Sequence, residues 1–389
     1  MAVEPFVHSR VPMEVHRSLG ALELGPLSVW PPVVLAPMAG VTNAPFRRLC
    51  RRHGAGLYVN EMIGARALVN GDPKTSHLAS FPPDESPRSI QLYGTAPDAV
   101  GEAVALLVSD RGADHIDLNF GCPAPKITRH GGGAALPYRI DLFREIVRAA
   151  VSNAGAVPIT VKYRKGIDDR NLTYLEAGRV AESEGVTAIG LHARTAEQLY
   201  SGSADWSAIA SLKAALSIPV LGNGDIWEAA DAIRMVDETG CDGVIVGRGC
   251  LGRPWLFGDL ARAFDGDLTV SVPSLGEVAS SMAEHGRLLV EWFGLFTGIR
   301  SFRKHTGWYL KGYPVGPEVR RQLSVVEDLD ELGCILQQLD AAAVPHEGAT
   351  RMARGHTQGP RPVRLPHRYL EGDWDEPVPA EAELAVSGG

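Results

Sequence analysis

Short apolar runs recur along the first two thirds of the chain, and most of them precede a stretch in which apolar positions have helical spacing. Such alternation of strand and helix is typical of a parallel sheet. The runs predict eight strands: Val33–Met38, Leu57–Met62, Ser89–Tyr93, His115–Phe120, Pro158–Tyr163, Ala188–His192, Pro219–Gly222 and Gly243–Gly247. Eight such units within about 230 residues favour a (β/α)8 TIM barrel over an open doubly wound sheet.

The same spacing predicts six helices: Ala44–His53, Pro97–Asp110, Leu142–Asn153, Tyr174–Glu184, Trp206–Leu216 and Ala229–Thr239. Segment 20–31 precedes the first strand and predicts a short hairpin that closes the bottom of the barrel. We expect a catalytic barrel domain over 1–265, and helical spacing over 274–342 predicts a small all-helical domain. The tail 343–389 is rich in Pro, Gly and Arg and then acidic, which predicts disorder.

Composition adds limits on the class of protein. Apolar residues make up 45% of 389 residues and charged residues 22%, as in ordinary globular proteins. We find no apolar run long enough to span a membrane and no secretory signal pattern. The five cysteines are scattered without metal-ligand spacing, so we expect free thiols, a cytoplasmic location and no metal site. The net charge of −8 argues mildly against a nucleic-acid partner, although a local basic face can coexist with acidic tails.

Polar residues follow nearly every predicted strand, and in a TIM barrel the active site lies at the carboxyl ends of the strands. They are Glu61, Gln91, Asn119, Cys122, Lys162, Arg164, His192, Arg194, Asn223, Asp225 and Arg248. A single one needs no explanation beyond contact with solvent. A barrel interior needs only apolar filling, however, so the whole set indicates a site.

The last two strands are followed by glycine-rich loops, and in this fold these loops commonly bind phosphate. They contain Gly222, Gly224, Gly247 and Gly249, and glycine lets backbone N–H groups approach phosphate oxygens closely. Arg248 would add charge-assisted hydrogen bonds. The alternative is a pair of ordinary glycine turns, and a phosphate site alone would suit many barrel enzymes.

Three of the strand-end residues suit a flavin. A cation such as Lys162 or His192 beside the N1–C2=O edge of a flavin would stabilise its anionic reduced form. Gln91 offers a donor and an acceptor to the amide-rich ring edge. The alternatives are a surface lysine extended from a strand end and a core histidine with satisfied hydrogen bonds.

Cys122 stands between Gly121 and Pro123, so the backbone is expected to set the direction of its thiol. A thiol is mostly protonated at neutral pH and can act as a general acid. The other cysteines, at 50, 241, 250 and 334, are expected to be buried and structural.

Seven segments together resemble the tRNA-dihydrouridine synthases, especially their bacterial B-type branch. The segments are VLAPMAGVTNAPFRRLC, IQLYG, DLNFGCPAPK, VKYRKG, LHARTAEQLYSGSADW, LGNGDI and GVIVGRGCLGRPWLF, in the order found in the family. The resemblance covers about residues 20–340, and GIRSFRKHTGWYLKGYP is similar to the family's C-terminal RNA-binding domain. Asn60 departs from the pattern, because the family often has Thr or Ser there.

The resemblance implies FMN as cofactor, NADPH (or NADH) as reductant and tRNA as substrate. A hydride would pass from flavin N5 to uracil C6, and Cys122 would give a proton to C5. The implied cofactor-binding residues are Pro37, Met38, Ala39, Gln91, Lys162, His192, Asn223, Gly224, Asp225, Gly247 and Arg248. The implied substrate-binding residues are Asn119, Arg164, Arg194 and Lys304. Lys126 and the run Gly131–Gly133 would lie on a mobile loop beside the cysteine.

Three other functions remain open on these residues: an FMN barrel that reduces free pyrimidines, a sugar-phosphate barrel without flavin, and an RNA-binding relative that has lost catalysis. The helix around Arg300–Lys311 argues against the reduction of free pyrimidines, because such a substrate would need no basic helical domain. Arg300, Lys304 and Lys311 fall on one face of it, which suits RNA or simply a solvated charged face. Phe302 and Tyr309 are expected to be core residues.

Overall fold

The computed structural model describes residues 19–355, 357 and 359–372. Within them lie eleven strands: β1 (Leu22–Leu24), β2 (Leu27–Val29), β3 (Val33–Leu35), β4 (Leu57–Tyr58), β5 (Ile63–Gly64), β6 (Ser89–Tyr93), β7 (His115–Phe120), β8 (Ile159–Arg164), β9 (Ala188–His192), β10 (Val220–Asn223) and β11 (Gly243–Val246). The strands β3 to β11 form one parallel sheet, in the order β4-β3-β11-β10-β9-β8-β7-β6-β5.

The sheet closes on itself because β4 and β5 are two halves of one barrel strand. The first half pairs with β3, Val34 opposite Leu57, and the second half pairs with β6. Between them Val59 bridges to Ser89, so the ring is continuous. The eight predicted strands and the predicted TIM barrel are therefore confirmed. The second predicted strand is interrupted between β4 and β5, where the chain stops pairing with β3 and begins to pair with β6.

Helices alternate with the barrel strands and continue beyond them. They are α1 (Ala44–Arg52), α2 (Ala65–Val69), α3 (Pro73–Leu78), α4 (Pro97–Ser109), α5 (Pro125–Thr128), α6 (Ile140–Asn153), α7 (Tyr174–Ser183), α8 (Trp206–Ala215), α9 (Ala229–Thr239), α10 (Leu256–Phe264), α11 (Leu275–Phe293), α12 (Leu295–Tyr309), α13 (Pro317–Val325) and α14 (Leu329–Leu336). The six predicted helices are all present, with ends that agree within two residues. Within the described residues, none of the helices is long and apolar enough to cross a membrane.

The hairpin β1–β2 lies under the barrel, as the sequence predicts. Its strands pair antiparallel, with Leu22 opposite Val29. Leu22, Leu24 and Val29 are buried with Leu221 and Ile245 of the barrel strands. The barrel is thus sealed at the amino ends of its strands, and its open mouth lies at the carboxyl ends.

The helices α11–α14 form a second core that packs on α1 of the barrel. The helix α11 begins with a capping box, in which Ser274 and Glu277 satisfy each other's backbone N–H groups. At the contact with the barrel, the ring of Phe46 lies 5.6 Å from that of His285 and 5.9 Å from that of His305. Phe302 and Tyr309 are buried, as predicted for core residues.

Part of the tail packs against the rest of the protein, although its composition predicts disorder. Residues 345–355 and 359–372 pack along the barrel, and Arg354 and Tyr369 are buried in this contact. Pro and Arg are common in disordered chains, but here Val363, Leu365 and Tyr369 pack together with residues of the barrel loops. Residues 1–18, 356, 358 and 373–389 lie outside the described part of the chain.

A buried ion pair supports the loop between β4 and β5. Arg47 of α1 binds Glu85 through two parallel bonds of 2.5 and 2.7 Å, and both side chains are almost inaccessible to water. The same guanidinium donates to Asn60, whose amide donates in turn to the carbonyl of Leu78. Asn60 therefore has a structural role, because its amide oxygen and amide nitrogen join Arg47 to the carbonyl of Leu78.

We predict that Arg47→Met lowers the free energy of unfolding by about 3–5 kcal/mol, because it leaves the Glu85 carboxylate buried without its partner. Urea unfolding followed by circular dichroism measures the change. Arg321→Met is the matched control, since the pair of Arg321 with Glu318 is exposed and is worth about 1 kcal/mol or less. An equal loss of unfolding free energy in the two variants would contradict a stabilising role for the buried pair of Arg47 and Glu85.

Candidate active site

A cavity of about 600 Å³ opens at the mouth of the barrel. Its wall comprises Pro37, Met38, Ala39, Val41, Met62, Gln91, Asn119, Gly121, Cys122, Pro123, Lys162, Arg164, His192, Tyr200, Arg248, Leu251, Lys304, Trp308 and Gly355. A smaller cavity of about 100 Å³ adjoins it over the loops that follow β10 and β11. The two cavities share wall residues, among them Met38, Lys162 and Arg248, so together they form one elongated site.

Nearly all the site residues predicted from the sequence lie on these walls. The eleven proposed cofactor contacts are all there, together with Cys122, Asn119, Arg164 and Lys304. Arg194 is the exception, because it lines neither cavity. Its guanidinium lies behind the wall, where it binds both carboxylate oxygens of Asp225 at 2.8 and 2.9 Å. Because strand-end position alone does not set side-chain direction, the sequence could not separate Arg194 from Arg164.

The larger cavity is cationic. Lys162, Arg164, Arg248 and Lys304 lie on its wall, and the described residues of that wall include no Asp or Glu. Burial lowers the pKa of Lys162 to about 8, and the neighbouring Arg164 contributes to the shift. Burial, with help from the nearby cations, also holds the pKa of His192 well below its ordinary value, so this imidazole is neutral at pH 7. Such a wall favours an anionic ligand.

A line of hydrogen-bonded side chains crosses the barrel interior. Ser89 bonds to Nδ1 of His115 at 2.7 Å, and Nε2 of His115 bonds to Thr160 at 2.9 Å. The Thr160 hydroxyl donates to Asp117 at 2.6 Å, and the Gln91 amide donates to the other oxygen of that carboxylate at 2.7 Å. Each buried polar group therefore finds a partner, which is the condition for placing such groups in a core.

The line ends at Cys122. Nδ2 of Asn119 donates to Gln91 at 2.7 Å, and Oδ1 of Asn119 accepts from the backbone N–H groups of Gly121 and Cys122 at 3.0 and 3.1 Å. The carbonyl of Cys122 accepts from Ala134 at 3.0 Å. The cysteine backbone is thus held from both sides while its half-buried side chain faces the cavity.

Burial raises the pKa of the Cys122 thiol, although a backbone N–H group and Arg164 act against the shift. The group is therefore a neutral thiol over the physiological pH range and carries a proton to give. Arg164 also holds the surrounding loops, because it donates to the carbonyls of Gly121 and Thr195 at 3.0 and 2.9 Å.

The smaller cavity is shaped by the close approach of two loops. A Cβ on Gly249 would stand 2.1 Å from the carbonyl oxygen of Ile226, so only glycine fits there. Gly224 has φ +134°, which disfavours any other residue. Nη1 of Arg194 is buried without a hydrogen-bond partner and lies 3.7 Å from where a Cβ on Gly224 would stand. A glycine cradle beside a buried guanidinium nitrogen that has no partner fits a phosphate group.

Several residues of the site escaped the sequence analysis. The ring of Tyr200 lies 5.4 Å from the guanidinium of Arg164 and 4.5 Å from that of Arg248, and so separates two cations. Tyr200, Trp308 and Gly355 come from loops and from distant segments, which strand-end reasoning does not reach. The interior residues do have a signal in the sequence, since polar residues 115, 117 and 119 alternate along one strand and must share a face.

Two other expectations need correction. Cys50, Cys241 and Cys250 are buried as predicted, but Cys334 is exposed on α14. Of the three predicted basic residues, Arg300 and Lys304 are exposed on α12, and Lys311 lies just beyond its end and is half-buried. Lys304 donates to the carbonyl of Gly40 and Lys311 to that of Ala353, so these two cations join the helical domain to the barrel mouth and to the tail. Their long side chains reach backbone carbonyls that a helical-wheel argument does not include.

The family model for dihydrouridine synthases matches residues 34–346. A protein of Mycobacterium tuberculosis named "Probable tRNA-dihydrouridine synthase" is 52% identical over 379 residues, which are 95% of this chain and 97% of that relative. A protein of Xanthomonas axonopodis pv. citri named "tRNA-dihydrouridine synthase B" is 40% identical over 327 residues, which are 83% of this chain and 98% of that relative.

Solved structures show a similar fold at low sequence identity. Histamine dehydrogenase from Rhizobium sp. 4-9 superposes with a TM-score of 0.50 at 12% identity, over 83% of this chain and 65% of that one. A 2-naphthoyl-CoA reductase superposes with a TM-score of 0.50 at 12% identity, over 63% of this chain and 52% of that one. At such identities the likeness concerns the fold alone.

We predict that alkylation of Cys122 by iodoacetamide is slow at pH 7 and rises with a midpoint above that of free cysteine, because the raised pKa keeps the reactive thiolate scarce. Peptide mapping by mass spectrometry measures the rate at each pH, and exposed Cys334 in the same sample calibrates the reagent. Fast alkylation of Cys122 at pH 7 would show a thiolate instead and would exclude a proton donor.

Proposed function

The chain belongs to the dihydrouridine synthase family, and on this premise we propose that it reduces uridines of tRNA to 5,6-dihydrouridine. The observation that carries the proposal is the position of Cys122, whose thiol pKa is raised by burial, on the wall of a cationic cavity. The relative with 52% identity is named as acting on tRNA, and its similarity extends over nearly the whole of both chains. A tRNA substrate also favours the cytoplasm as the place of the reaction.

The proposed cofactor is FMN, and the elongated site suits its shape. The cradle of Gly224, Gly247 and Gly249, with Arg248, would hold the phosphate. Asn223 and Asp225 line the same cavity, and the ring would lie toward Gln91 and Lys162 in the larger one. The backbone at Pro37, Met38 and Ala39 would support the ring from the first barrel strand. Reduced by NADPH (or NADH), FMN would supply a hydride to C6 of the uracil.

The residues of the chain would then perform the remaining steps. The Lys162 ammonium would stabilise negative charge at the flavin's N1–C2=O edge, because its pKa of about 8 keeps it mostly charged at pH 7. The S–H bond of Cys122 would break and a C5–H bond would form, which leaves a thiolate that solvent reprotonates. Arg164, whose charge favours the ionised form of this thiol, would stabilise the thiolate.

The wall of the cavity also favours a polymeric substrate over a free pyrimidine. Lys304 and Trp308 belong to the helical domain, and both line the same cavity as Cys122. A substrate that reaches the thiol must therefore pass between the two domains, where a tRNA could be held by both. A uridine packed in folded tRNA hides C5 and C6, so it would be turned out of the stack into the cavity.

We predict that Cys122→Ala retains FMN and tRNA binding and loses turnover by about 10²-fold or more, because only the proton transfer is removed. Dihydrouridine formed from a tRNA transcript with NADPH is measured by mass spectrometry after nuclease digestion. Cys334→Ala is the matched control and should behave as the unaltered protein, since Cys334 is exposed on α14. Undiminished turnover in Cys122→Ala would remove the proton-donor role.

We predict that Arg248→Met weakens binding of FMN by about 10- to 150-fold, the loss of one or two charge-assisted hydrogen bonds, and leaves riboflavin binding within about threefold. Fluorescence quenching on titration of the apoprotein measures both ligands. Riboflavin lacks the phosphate, so any loss of ring packing around Arg248 affects the two ligands alike. Arg287→Met, which alters an exposed ion pair on α11, is the control. Equal loss for both ligands would place the phosphate elsewhere.

A further inference from the structure

The described tail residues beyond 346 run across the barrel mouth, and we call residues 347–372 the C-terminal strap. The strap lies outside the range that the family model matches, which ends at residue 346. Its packed course is described except at 356 and 358. The family's known chemistry therefore assigns the strap no role, although it touches the loops that border the cavity.

The strap is anchored first beside the phosphate cradle. Arg351 binds Glu228 and Asp231 at the start of α9, at 2.9 and 3.0 Å. Arg354 is buried and donates to the carbonyls of Leu251 and Trp308. The next residue, Gly355, lies on the wall of the larger cavity. At this point the strap forms part of the active-site wall.

The strap then crosses to the opposite side of the mouth. The backbone N–H of Arg361 donates to the carbonyl of Glu197 at 2.9 Å, in the loop that follows β9. Val363 and Leu365 pack with Ile167 and Ala135 in a small apolar cluster. Apolar contacts at this end and ion pairs at the other offset the entropy of ordering the segment.

Tyr369 ends the crossing on the loop that carries the cysteine. Its side chain is only 4% exposed, and its hydroxyl lies 3.2 Å from the carbonyl oxygen of Gly131 and 3.1 Å from that of Ala135. Its ring fills the space beside Gly131, where a Cβ would stand 2.9 Å from it. The segment between these two carbonyls includes Ala134, whose N–H donates to the carbonyl of Cys122.

We propose that Tyr369 is a positioning residue for the reaction at Cys122, and that the strap orders the catalytic loop from outside the family domain. The inference rests on the proposed function, because it assigns the loop to proton transfer. Tyr369 bonds to residues 131–135, and Ala134 in that segment donates to the Cys122 carbonyl. Asn119 binds the other backbone group of Cys122, its N–H. Proton transfer requires the thiol within hydrogen-bond reach of its target, so a loosened loop lowers the rate.

The test is Tyr369→Phe, which removes the hydroxyl and keeps the ring. We expect kcat for dihydrouridine formation to fall about five- to tenfold, as for a lost buried hydrogen bond, with KM for tRNA and flavin content within twofold. We also expect alkylation of Cys122 at a fixed alkaline pH to quicken at least threefold, because the loop opens more often. Hydrogen exchange of residues 122–135 should quicken in parallel.

The matched control is Tyr58→Phe, because Tyr58 is likewise buried and its hydroxyl donates to a backbone carbonyl, that of Ser86, away from the cavity. This variant should change neither kcat nor Cys122 alkylation. The proposal is overturned if Tyr369→Phe matches Tyr58→Phe in alkylation and exchange. Absence of dihydrouridine with the unaltered protein would overturn the proposed function instead, and the alkylation and exchange comparison would still decide whether the strap orders the loop.

Discussion

The position of Cys122 depends on the pairing of polar groups inside the barrel. A carboxylate, an imidazole and two amides need partners in the barrel interior. Thr160 joins His115 to Asp117, and Gln91 joins Asp117 to Asn119. The line holds only in the observed strand register, in which Gln91 stands opposite Asp117 and Asn119 opposite Lys162. The same hydrogen bonds therefore fix the strand register and the position of Cys122, because Asn119 belongs to the line and also accepts from the backbone N–H of Cys122.

Burial and pairing of charged groups also set the electrostatic character of the barrel mouth. The protein is acidic overall, yet the larger cavity has four cations and no carboxylate on its described wall. Burial lowers the pKa of Lys162 to about 8, which leaves it mostly charged at pH 7, and removes the charge of His192, while Arg194 is paired with Asp225 behind the wall. The remaining positive charge lies beside the phosphate cradle, in which Gly224 and Gly249 can only be glycine, and it favours an anionic ligand. The helical domain adds Lys304 and the strap adds Gly355, so the site is assembled from three parts of the chain.

The sequence predicted the barrel well because its signals are local. Each strand is a short apolar run, each helix has its own spacing, and glycines mark the cradle loops. The sequence analysis failed where contacts between distant segments determine the partner or the burial of a side chain. Arg194 and Arg164 have equivalent positions along the chain but meet different partners, and Cys334 lies on the outer side of α14. The composition of the tail resembles disorder, and nothing local reveals that Tyr369 finds a place beside Gly131.

The most direct measurement is a crystal structure of the protein with FMN bound. The account predicts the phosphate in the cradle of Gly224, Gly247 and Gly249, and the ring beside Gln91 and Lys162. One face of the ring should be open toward the Cys122 thiol across a gap wide enough for a single pyrimidine. A flavin that covers the thiol, or that binds with its ring turned away from Cys122, would contradict the account.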